Sequence, residues 1–76
     1  MDKQQILDAG VLLAETHGYQ GVFKRHIAAY LKCGMGTINY HWGTVVELRS
    51  AMVREAKRKG RHERIMRAAT NSVLNA

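Results

Sequence analysis

A chain of 76 residues holds one domain at most, and a domain this small buries only about 60% of its unfolded surface. Its one cysteine, Cys33, excludes a disulfide framework, and no apolar run approaches the ~18 residues of a membrane span. Twelve Lys and Arg against six Asp and Glu give a formal net charge of +6 and a pI near 10.0, a balance that favours a polyanionic partner.

The hydrophobic share of 46% is that of a folded protein. Met1 leads straight into Asp2 and Lys3 with no apolar signal core, so a reducing cytosol is the expected compartment. No proline, low-complexity tract or internal repeat interrupts the chain, and the glycines act as punctuation. Asp2 with Gln5 three residues later predicts a capping box opening a first helix. Ile6, Leu7, Gly10, Leu13 and Ala14 follow at helical spacing, and Gly18 closes the element. Tyr19 to Val22 read as a loop. A short second helix is expected over Lys24 to Leu31, with Ile27, Ala28 and Leu31 on its buried face. Lys32-Cys33-Gly34 reads as a tight turn, and a third short helix over Met35 to His41 ends at Trp42-Gly43. Thr44, with Glu47 as its partner, predicts the cap of a fourth helix carrying Val45, Leu48 and Met52 on one stripe and ending near Gly60. Arg61 to about Leu74 form a fifth helical segment, and no window alternates as a strand does. The fold expected is all-α: a small bundle of about five helices, with a helix-turn-helix domain over 1–60 and a C-terminal helix over 61–76.

Two short helices joined by a tight turn read DNA when a longer scaffold holds them, the first crossing the backbone and the second entering the major groove. Such a pair needs a small residue where the helices touch, which Ala28 supplies, and apolar anchors, which Ile27, Leu31, Cys33 and Ile38 supply. The outer face of the second helix must be small and polar. Gly34, Met35, Gly36, Thr37, Asn39, Tyr40 and His41 meet that need, since Asn pairs with adenine and a Thr methyl packs on the thymine methyl.

Over Ile27-Ala28-Ala29-Tyr30-Leu31-Lys32-Cys33-Gly34-Met35-Gly36-Thr37-Ile38-Asn39-Tyr40-His41-Trp42 the chain resembles the helix-turn-helix of TetR-type repressors. Gly36-Thr37-Ile38, the aromatic Trp42 and Leu48 fall in the family's register, and Ile6 to Gly18-Tyr19 is similar to its first helix. The likeness spans roughly residues 3–55. It departs at Lys32, where the family usually has Gly, at Phe23, where Ser or Thr is common, and at Asn39 and Val45, where Tyr and Lys are favoured. The resemblance implies DNA contacts at Arg25, Gly36, Thr37, Tyr40 and His41. Gly34, Met35, Asn39 and Thr44 complete the expected DNA-binding set. Family members continue into a long effector-binding and dimerising domain. This chain stops at Ala76, so it is expected to be the DNA-binding module with one extra helix, working without a small-molecule effector.

Other chemistries find little footing. No two of His17, His26, His41 and His62 lie three or four residues apart, so no metal is expected. No nucleophile motif or paired carboxylates indicate an enzyme, and Gly34-Met35-Gly36 follows no strand and is no phosphate loop. No cofactor is expected. Trp42 reads as core. The dense basic run Arg49 to Arg67 is either a solvated face or a phosphate-facing one. Ile65, Met66, Ala69, Val73 and Leu74 form one apolar stripe that packs on the first helix or on a second copy. The dimer is favoured, because a single reading helix makes a small interface. The function expected is that of a transcriptional regulator, a repressor binding double-stranded DNA at an inverted repeat as a homodimer, nucleoid-associated in a bacterial cytoplasm. The alternatives are a non-specific architectural nucleic-acid-binding protein and a basic amphipathic peptide acting at membranes.

Overall fold

In the computed structural model, residues 1–74 are described as backbone and residues 1–70 also as side chains. They form five helices and no strand: α1 (Lys3–His17), α2 (Lys24–Leu31), α3 (Met35–His41), α4 (Val45–Arg58) and α5 (His62–Leu74). The protein is an all-α bundle, and none of the described helices is long and apolar enough to cross a membrane.

The helix starts follow from local chemistry. Asp2 accepts the Gln5 N–H at 2.7 Å while the Gln5 side chain accepts the Asp2 N–H at 2.8 Å, the reciprocal box that satisfies two otherwise orphaned groups. Thr44 Oγ1 accepts the Glu47 N–H at 3.1 Å and opens α4. At α2 the cap is inverted. Phe23 has no capping atom, but its own N–H donates to Nδ1 of His26 at 3.0 Å. Gly18 ends α1 at φ +75°, a conformation open to glycine.

Helix α1 lies at the centre and packs on α2, α4 and α5. Ile6, Ile27, Ile38, Leu48, Met52 and Ile65 are fully enclosed, and each contributes about 1.5–3 kcal/mol of burial. Trp42 is core, as its place at the end of the third helix predicts. The segment read as a loop is more ordered than expected. Tyr19–Gly21 winds into a 3-10 turn, and Tyr19 and Val22 are buried. The Tyr19 hydroxyl lies 2.8 Å from His62 Nδ1 with the rings stacked, which ties this turn to the first residue of α5.

The expectation for the C-terminal stripe needs correction at Ile65. Its side chain is 0% exposed within a single chain, so no partner reaches it. Ala69 stands against Gly18, where an added β-carbon would come within 3.3 Å. Met66, next to Ile65 in the helix, is 48% exposed. The side chains of Val73 and Leu74 lie outside the described residues.

Candidate nucleic-acid interface

The turn between α2 and α3 closes with two hydrogen bonds. Cys33 N–H reaches Ala28 O at 3.0 Å, and Lys32 N–H reaches Ala29 O at 3.3 Å. This is the pairing of a Schellman motif, which requires a left-handed residue at the turn. Lys32 supplies it at φ 56°, ψ 46°. Lysine therefore takes the conformation that glycine would adopt with less strain.

Ile38 fixes the rotation of α3. It is fully buried, and at 100° per residue the opposite face is Gly36 and Tyr40, flanked by Thr37 and Asn39. Tyr40 is 85% exposed. Gly34 and Gly36 are exposed, neither has positive φ, and a β-carbon at either would meet nothing within 4 Å. Neither backbone conformation nor internal packing requires glycine there. The bare backbone leaves room for a close approach from outside.

The other expected residues are distributed around this face. Met35 and Asn39 are exposed and Thr37 is half-buried. His41 is turned away: its Nε2 bonds to Met1 O at 3.0 Å, where only a protonated nitrogen can donate, and Tyr40 meets its ring edge-on. Thr44 uses its hydroxyl as the α4 cap. Arg25 is exposed, its guanidinium 4.9 Å from the Phe23 ring centre, and Arg49 lies 4.8 Å from the same ring. Arg49 also donates to the carbonyls of Gln20 and Val22, both at 3.3 Å, with its Nε buried and unpaired.

Two residues outside the expected set join the site. Lys24 at the start of α2 donates to Asn39 Oδ1 at 2.8 Å and to Gly43 O at 3.0 Å, clasping the C-terminal end of α3. Lys3 lies 4.4 Å over the Trp42 ring, whose Nε1 donates to Lys3 O. In the sequence Lys24 stood out only as a charge. Nothing in local spacing signals a contact across 15 positions.

Ion pairing divides the basic run. Of the eight basic residues from Arg49 to Arg67, four are paired with acids inside the fold. Lys59 meets Asp8 at 2.6 Å, Arg61 and Arg64 share Glu15 at 2.8 and 3.4 Å, and Arg58 meets the buried Glu55, which Gln4 also contacts. Arg58 first and Gln4 second hold the Glu55 carboxyl below its ordinary range, and Lys59 first and Gln4 second do the same for Asp8. Much of the basic run therefore braces α1 against α4 and α5. Among the described residues Lys3, Lys24, Arg25 and Lys32, at the start of α1 and in the α2–turn–α3 unit, have no carboxylate within ion-pair distance, and the same holds for Arg49, Arg54, Lys57 and Arg67 of the basic run. Compared with models of known protein families, with curated proteins and with solved structures, the chain gives no match.

Proposed function

We propose that this protein binds DNA sequence-specifically and regulates transcription, acting as a repressor by occluding a promoter in a bacterial cytoplasm. The reading rests on one observation above all. The face of α3 opposite Ile38 offers exposed glycine backbone and Tyr40, next to cations that have no carboxylate partner among the described residues. A duplex supplies what that surface lacks: phosphates for Lys3, Lys24, Arg25 and Lys32, and groove edges for Gly36, Thr37, Asn39 and Tyr40. The resemblance of residues 27–42 to TetR-type repressors points the same way. A homodimer on an inverted repeat, with two recognition helices about 34 Å apart or a multiple of that, fits a reading helix of seven residues. Any contact through α5 uses its outer side, where Met66 lies, since Ile65 is held in the core. No small-molecule effector, cofactor or metal enters this scheme.

Selection from random DNA with the purified protein is the test. Recovery of an inverted repeat, with two protomers per site by sedimentation, is the expected result. Equal retention of all duplexes, with a steep salt dependence and no motif, would make the protein a non-specific architectural binder instead.

A further inference from the structure

We infer that Lys24 makes Asn39 a reader of guanine rather than adenine. The inference rests on the DNA-binding reading above. An asparagine reads adenine with both ends of its amide: Oδ1 accepts from adenine N6 while Nδ2 donates to N7. Here the Lys24 ammonium sits 2.8 Å from Oδ1. An ammonium has three donors and no acceptor, so the atom it meets is the amide oxygen and not the nitrogen. That fixes the amide's orientation, which hydrogen-bond partners must otherwise decide.

The second bond of Lys24, to Gly43 O at 3.0 Å, is to main chain and keeps the ammonium in place. The ammonium takes one of the oxygen's two lone pairs, and its positive charge opposes the approach of a second N–H, so adenine N6 is disfavoured. Nδ2 remains, with two N–H donors and exposed surroundings on α3. Guanine alone among the bases presents two neighbouring acceptors, O6 and N7, to the major groove. A donor-only amide therefore favours guanine, and cytosine, which offers its amino donor, is the worst partner. Lys24 acts here as a positioning residue, with Asn39 as the group that touches the base.

The test compares base preferences of full-length variants selected on random DNA. The base pair read by Asn39 is the one whose preference Asn39→Ala erases. At that pair the wild-type protein is expected to favour guanine over adenine by about tenfold. Lys24→Met keeps the aliphatic stem and frees Oδ1, and it should shift the preference to adenine by a similar factor. Lys24→Arg keeps a donor at the oxygen and should retain guanine. The readout is a ratio within the bound DNA, so a general loss of affinity in Lys24→Met does not disturb it. The inference is overturned if the wild-type protein selects adenine there, if Lys24→Met leaves the preference unchanged, or if Asn39→Ala erases none. In each of those cases a recovered motif leaves sequence-specific binding standing. Recovery of no motif by the wild-type protein would remove that reading, and this inference with it.

Discussion

Gly10 of α1 lies against Met52 of α4: a β-carbon built on Gly10 would stand 3.0 Å from the Met52 sulfur, 3.2 Å from its Cγ and 3.4 Å from Ile27 Cδ1. The glycine is there for the close approach of two helices. Gly10→Ala gains about 1 kcal/mol of helix propensity and meets a flexible thioether that yields a few tenths of an ångström, so its net effect should stay within about 1 kcal/mol. Gly10→Leu brings a branched side chain into a filled site and should cost about 3 kcal/mol. Urea denaturation reads both. An unshifted midpoint for Gly10→Leu would mean that α1 and α4 do not cross there.

Lys32 holds a left-handed conformation at φ 56°. For a residue with a β-carbon this costs roughly 1–2 kcal/mol, partly offset by the greater freedom glycine has when unfolded. Lys32→Gly should therefore stabilise the protein by up to about 1 kcal/mol, seen as a rise in melting temperature. A fall would show that the turn takes another conformation.

Ile65 and Leu48 are both enclosed, and truncation of either to Ala should cost about 2–5 kcal/mol. Removal of residues 61–76 strips Ile65 from the core and His62 from Tyr19. It should lower the melting temperature by about 10 °C or more. A truncated chain that melts like the intact one would show that α5 is not part of the fold.

Asp8 and Glu55 carry carboxyls whose pKa in the folded protein lies below the ordinary value, chiefly through Lys59 and Arg58 respectively. The folded state then binds fewer protons than the unfolded one. Their contribution is complete at neutral pH and drains away as pH falls below about 4.5, the ordinary value for glutamate. Denaturation midpoints between pH 7 and pH 3 should decline through that window, and Glu55→Gln should flatten the decline. A slope identical in Glu55→Gln would exclude this carboxyl as a source.

Arg25 is exposed at the start of α2 with no carboxylate partner among the described residues. If it meets phosphate, Arg25→Ala should weaken binding to all sequences alike and reduce the slope of log affinity against log salt by about 1. Loss confined to one base of the motif would make Arg25 a base reader instead.

The arrangement of helices along the chain was legible because it is written locally. Asp2 with Gln5, Thr44, Gly18 and the apolar spacing of Ile27, Leu48 and Met52 act within one or two turns of the backbone, so five helices and their approximate ends follow from neighbours in sequence. The turn over Lys32-Cys33-Gly34 was legible for the same reason. What α5 packs against was not, because a stripe of apolar residues shows that it must be covered and not by what. The position of Ile65 in the core depends on the direction the chain takes after Gly60, at φ +72°. The burial of Tyr19 depends on His62, 43 positions away. The basic run looked like one surface, yet half of it turns inward to Asp8, Glu15 and Glu55, since opposite charges on separate helices meet only once those helices are packed. Asn39 is the sharpest case. Its residue type allows an adenine contact, and only the fold places the ammonium of Lys24 on the oxygen that contact would use.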